Sequence, residues 1–96
     1  RELVESALAA IAADPRAFTA VHADAARAAA DAADRARVAG RPAGALAGIP
    51  ISIKELFDEA GHVTAAGSPL LRGQPAATRD AAAVARLRGA GAIVVG

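Results

Sequence analysis

The stretch Gly48 to Asp58, G-I-P-I-S-I-K-E-L-F-D, constrains this chain more than any other. Ile49, Ile51 and Ile53 alternate with Pro50, Ser52 and Lys54, the period of a β-strand. Three isoleucines therefore share one face, and Ser52 and Lys54 share the other. Pro50 has no N–H, which places it near the strand start or where no ladder bond is needed. Lys54 ends the alternation and is the only lysine, because every other cation of the chain is an arginine.

The last residues complete the topological argument. Residues 80–90 read as a helix with Val84 and Leu87 on its inner face and Asp80 or Thr78 as its cap. Arg86 and Arg88 lie in its last turns, where they suit the negative end of the helix dipole. Gly89 and Gly91 end it. Ala92 to Val95 is a continuous apolar run, as in a strand of a parallel sheet covered on both faces. Strand, helix and strand in this order predict a parallel pair with a right-handed crossover.

Before the first strand the pattern is helical. Val4, Leu8 and Ile11 recur at helical spacing over 2–13, and Asp14-Pro15 stops that helix. Residues 17–21 read as short and extended. Residues 23–39 form a second, alanine-rich helix closed by Gly40, with Asp31–Arg35 spaced i,i+4 and Asp24–Arg27 and Asp34–Arg37 spaced i,i+3. Its apolar stripe is thin, so it belongs on the outside of something larger. Residues 40–47 are a glycine- and proline-rich loop. Ser68 and Pro69 suit the start of a helical turn.

The fold class expected is α/β: N-terminal helices (1–40), then the first strands of a mixed or parallel sheet (41–96). The chain has 96 residues, of which 54% are hydrophobic, but about a third are alanine, so the core is small. Two strands do not make a self-sufficient parallel sheet, and an open edge of Ile93, Val94 and Val95 would be adhesive. The expectation is the N-terminal part of a longer α/β protein.

Several function classes are disfavoured. The net charge is +1 with acids and bases interspersed, and the only aromatic side chains are Phe18 and Phe57, which gives no basic, base-stacking surface for nucleic acid. There is no cysteine, hence no thiolate nucleophile and no disulfide. No apolar run approaches the ~18–20 residues of a membrane span. No phosphate-binding glycine loop is present, since Gly89-Ala-Gly91 follows a helix rather than a strand. No cofactor is called for. His22 and His62 read as separate surface residues, too far apart and too poorly supported for a metal site.

Lys54 remains as the catalytic candidate. By spacing alone it could be a solvated lysine at a strand end. Geometry favours more, because ligands of open α/β sheets bind beyond the carboxyl ends of strands. Lysine can also lose its charge when buried, which arginine cannot. Ser52, about 7 Å away on the same strand face, offers a weaker Ser-x-Lys dyad.

From Leu46 onward the chain resembles the amidase signature family. The resemblance rests on L-A-G-I-P-I-S-I-K-E-L-F-D (46–58), A-G-H-V-T-A-A-G-S (60–68) and R-D-A-A-A-V-A-R-L-R-G-A-G-A-I-V-V-G (79–96), in order and with compatible gaps. It implies an incomplete amidase-signature fold, with residues 1–96 the N-terminal part of one amidase domain. It also implies a Ser–cis-Ser–Lys hydrolase in which Lys54 is the general base. Neither serine is matched by Ser6, Ser52 or Ser68, so both are expected beyond Gly96, and the chain by itself is expected to be inactive. The partner implied is a small-molecule amide, cut through an acyl-serine intermediate to acid plus ammonia or amine. A cytoplasmic location follows from the same likeness. A homodimer of the full-length protein is compatible with it, and the oligomeric state is left open. Lys54-Glu55-Leu56-Phe57-Asp58 stands nearer to stand-alone amidases than to the amidotransferase component that acts on misacylated tRNA. Two other readings compete: a lyase with Lys54 as Schiff-base amine, and a non-catalytic module that pairs through Ile93–Val95.

Overall fold

A computed structural model of the chain describes residues 1–41 and 44–96, so the predicted 40–47 loop falls partly outside the described residues. The order of elements is α1 (Glu2–Ala13), a 3-10 turn (Pro15–Ala17), α2 (Ala23–Val38), β1 (Pro50–Ile51), a second 3-10 turn (Leu71–Gly73), α3 (Ala82–Gly89) and β2 (Ile93–Val94). β1 and β2 pair in parallel, with Pro50 opposite Ile93 and Ile51 opposite Val94. The predicted strand–helix–strand unit is thus present.

β2 is the centre of the molecule. Ala92, Ile93, Val94 and Val95 are all buried. Ile93 and Val95 join one apolar cluster with Val4, Leu8 and Ile11 of α1 and Ala26 and Ala30 of α2, with Phe18 packed against it. Small side chains on α2 let that helix approach closely, which is why so thin an apolar stripe suffices. Val84 of α3 is also fully buried. Glu5 on α1 joins α2 by accepting from Arg27 Nε at 2.7 Å. Hydrogen bonds from Arg27 and then Arg1 hold the Glu5 carboxyl below its ordinary range.

The structure corrects the sequence reading at several points. The expected strand over Ile49–Lys54 is a ladder of only two residues. Single bonds extend the pairing on either side: Ile93 N–H to Ile49 O (2.8 Å), Val95 N–H to Ile51 O (2.9 Å) and Ile53 N–H to Gly96 O (2.8 Å). The face shared by the three isoleucines is only partly covered, with Ile49 43% exposed and Ile51 and Ile53 half-buried. The apolar cluster under α1 and α2 is built on β2 rather than on its neighbour. Residues 18–22 are irregular rather than extended, after the 3-10 turn. Asp31 pairs with Arg1 (2.7 Å) in place of the predicted Arg35, while Asp24–Arg27 (3.9 Å) and Asp34–Arg37 (3.6 Å) are present.

Caps differ as well. Ala81 stands at the N-cap of α3 with no side-chain cap bond. Asp80 instead accepts from Ala60 N–H (2.8 Å) and pairs with Arg88 (3.2 Å), so its carboxylate is engaged by the excursion and by the helix's own last turn. The chain does turn directly after Ser68, whose carbonyl accepts from Leu71 N–H (3.1 Å), but the 3-10 helix itself runs over Leu71–Gly73 with Leu70, not Ser68, at its N-cap.

Two glycines are required where they stand. Gly40 (φ +69°) and Gly91 (φ +97°) each follow a helix in the left-handed region. Gly40 N–H reaches Arg37 O (3.1 Å) and Arg41 N–H reaches Ala36 O (3.0 Å). Gly91 N–H reaches Arg88 O (2.9 Å) and Ala92 N–H reaches Leu87 O (3.1 Å). Both patterns are Schellman caps.

Candidate functional site

The site is assembled where the two strands end. Beyond β1 the chain makes a long excursion, residues 52–81, before α3 carries it back to β2. Phe57 N–H donates to Lys54 O (3.0 Å), which turns the chain immediately after the lysine. The two motifs of the excursion are then stitched together. Glu55 O accepts from Ala66 N–H (3.2 Å), and Glu55 Oε2 accepts from Gly67 N–H (2.8 Å). Thr64 Oγ1 donates to Asp58 Oδ1, and Asp58 O accepts from Ala81 N–H (2.9 Å). The acidic residues of K-E-L-F-D therefore hold the T-A-A-G-S segment in place beside Lys54. Sequence reasoning singled out both motifs but not their joining.

Lys54 lines a cleft of about 680 Å³, together with Phe18, Ser52, Glu59, His62 and Gly96. The cleft lies beyond the strand ends, as the Ile53 N–H to Gly96 O bond fixes. Phe18 packs closely on Gly96: a Cβ at Gly96 would stand 2.8 Å from the Phe18 ring and 2.6 Å from Ala20 O. The Lys54 side chain itself is exposed. Among the described residues no carboxylate pairs with it and no hydrogen bond joins it to Ser52. Lys54 therefore lines the cleft as an exposed residue.

The two histidines, read from sequence as separate, meet. Their rings stack with centroids 4.1 Å apart and an interplanar angle of 25°. His22 begins α2 and its N–H donates to Val95 O (2.8 Å), while His62 rides on the excursion. Both come to the carboxyl end of β2, and no local pattern in the sequence announces that meeting. His22 Nε2 is buried, has no hydrogen-bond partner among the described residues and lies 3.4 Å from Glu59 Oε1. Glu59 is also 3.3 Å from Arg88. Among the described residues no group of three or more His, Asp or Glu side chains is placed to hold a metal ion. No helix among them is long and apolar enough to cross a membrane.

A parallel β-pair under two helices, with a lysine at the strand end and the K-E-L-F-D and T-A-A-G-S segments bonded together, defines the class. The Amidase family model matches residues 2–96, and the chain belongs to that family. It is 44% identical over 99 residues to AtzE, a component of the 1-carboxybiuret hydrolase of Pseudomonas sp. (strain ADP), covering 100% of this chain and 22% of that protein. It is 48% identical over 98 residues to a subunit of the glutamyl-tRNA(Gln) amidotransferase of Anaeromyxobacter dehalogenans (strain 2CP-C), covering 99% of this chain and 20% of that one. Among solved structures, a bacterial aryl acylamidase of the amidase signature family superposes with a TM-score of 0.85 at 30% identity, over 100% of this chain and 21% of that one. A chain from a structure described as a vestigial protein complex that reveals the evolutionary origins of an s-triazine catabolic enzyme superposes with a TM-score of 0.95 at 44% identity, over 99% of this chain and 21% of that one. The chain thus spans about a fifth of the length of these relatives.

Proposed function

We propose that this chain is the N-terminal part of a cytoplasmic amidase domain that hydrolyses a carboxylic amide, with Lys54 as general base. The observation that carries the reading is positional: Lys54 stands past the end of β1, on a cleft, within motifs held together by the Glu55–Gly67 and Asp58–Thr64 bonds. The relatives, amidases and amidotransferase components, support the reaction class.

The mechanism follows from what lysine can do. Neutral Lys54 Nζ accepts a proton relayed from a nucleophilic serine through a second serine, both supplied outside these 96 residues. The serine oxygen attacks the amide carbonyl, and the C–N bond breaks as the proton passes to the leaving nitrogen. Water then releases the acid from the acyl-serine. A lysine acts as base only when desolvation disfavours its charge. Lys54 is exposed within residues 1–96, so the covering that neutralises it comes from the remainder of the protein.

In the full-length protein, Lys54→Ala and Lys54→Arg should each remove hydrolysis of simple amides while leaving the circular dichroism spectrum unchanged. Turnover near wild type in either variant would take Lys54 out of the mechanism. Two relatives carry the word "subunit" in their names, which motivates a second reading: the whole protein acts within a hetero-oligomer. Light scattering of the full-length protein, alone and with proteins co-purified with it, distinguishes a free-standing amidase from a complex.

A further inference from the structure

The excursion between β1 and α3 is braced internally by backbone bonds. Gly61 N–H donates to Ala77 O (2.8 Å), Ala77 N–H donates to His62 O (2.9 Å), and His62 N–H donates to Glu59 O (3.0 Å). It meets the start of α2 at His22, through the stack of His62 on that ring and through Glu59 Oε1, 3.4 Å from His22 Nε2. His22 is the fixed member: its side chain is 10% exposed and its backbone is bonded to Val95. His62 is exposed.

The pair stands between two hollows. On one side is the cleft of about 680 Å³ beside Lys54, lined by both rings. On the other is a hollow of about 390 Å³, again lined by both rings and reaching Ala25, Ala29, Asp80, Arg88 and Val94. Each hollow lies within the volume range of small-ligand sites.

We propose that the stacked His22–His62 pair is a partition that ends the Lys54 cleft and so limits the length of substrate it accepts. The inference rests on the amidase reading above and adds a specificity determinant to it. His62 is the removable member. Its backbone bonds do not depend on its side chain, and its exposure means that truncation leaves no cavity in the core. Without the imidazole, the cleft opens toward a second chamber whose lining includes Ala25, Ala29 and Val94, surfaces suited to an alkyl chain. A phenyl ring in its place keeps a flat stacking surface and therefore keeps the partition.

The test is a series of unbranched primary amides, from acetamide to hexanamide, offered to the full-length protein as wild type, His62→Ala and His62→Phe. The expected result is a rise in the ratio of kcat/KM for hexanamide over acetamide of about 10-fold or more in His62→Ala, the discrimination that a methylene or two commands in an apolar pocket. The change should be carried in KM. His62→Phe should keep the wild-type ratio. An unchanged ratio in His62→Ala, or an equal rise in His62→Phe, overturns the partition. Hexanamide binding followed by NMR gives the same comparison without turnover, with about 10-fold tighter binding expected for His62→Ala alone. Equal binding by all three proteins overturns the inference by itself. A wild-type protein that binds amides but hydrolyses none refutes the amidase reading and leaves the binding comparison to decide the partition.

Discussion

Replacing Gly91 by alanine should cost far more stability than the same change at Gly40, although both glycines close a helix in the same way. Each sits in the left-handed region, at φ +97° and +69°. An alanine there costs about 1–2 kcal/mol for its Cβ, partly offset by about 0.4–1 kcal/mol from a stiffer unfolded chain. At Gly40 no atom of the described residues lies within 4 Å of the added Cβ, so the net cost is about 1 kcal/mol. At Gly91 the Cβ would meet Ala47 Cα at 2.7 Å and Ala47 N at 3.0 Å, both backbone atoms. Relief requires the segment before β1 to move away from α3, at a further cost of about 1–3 kcal/mol. That movement stretches Leu46 N–H to Ala90 O (2.9 Å) and Gly48 N–H to Gly91 O (3.1 Å), the bonds that lead into the parallel ladder. The expected total is a loss of about 2–4 kcal/mol for Gly91→Ala. Urea unfolding followed by circular dichroism, with both variants fitted to a common slope, measures the difference. Equal losses in the two variants would refute the argument, because the close approach to Ala47 would then contribute nothing.

Other consequences can be checked in parallel. Val4 is fully buried at the junction of α1 with α2 and β2, so Val4→Ala should lower stability by about 2–3 kcal/mol in the same unfolding assay. Lys54 is exposed, so Lys54→Ala should change stability by less than about 0.5 kcal/mol, which separates its chemical role from any structural one. Hydrogen bonds from Arg27 and Arg1 hold the Glu5 carboxyl below its ordinary range. Its contribution is therefore present above the unfolded-state value near 4.5 and fades as pH falls through the lower folded-state value. Melting temperatures taken from about pH 6 down to about pH 3 should consequently fall less steeply in Glu5→Gln than in wild type.

The helices and the parallel pair were legible because their signals are local and periodic. Val4, Leu8 and Ile11 mark the inner face of α1, and Gly40 and Gly91 mark the ends of α2 and α3. Burial was less legible. Alternation told which isoleucines share a face, but not that α1 and α2 would cover β2 and leave Ile49 43% exposed. Lys54 and its motifs could be read, yet the bonds from Glu55 to Gly67 and from Asp58 to Thr64 depend on how the excursion folds back. The His22–His62 stack left no trace in the sequence, because neither residue sits in a pattern that involves the other. Asp80 shows the competition plainly: its position suits a helix cap, and the offer of Arg88 and the Ala60 N–H drew it elsewhere.

Capture of the acyl-enzyme addresses Lys54 most directly. Full-length wild-type and Lys54→Ala proteins are mixed with a chromogenic amide in a single turnover, quenched in acid and digested for mass spectrometry. The expected product is an acyl group on a serine, formed at least about 100-fold more slowly in Lys54→Ala, the loss that follows removal of a general base. Acylation at the wild-type rate in Lys54→Ala, or a covalent adduct on the Lys54 nitrogen itself, would contradict a role for this amine as proton acceptor.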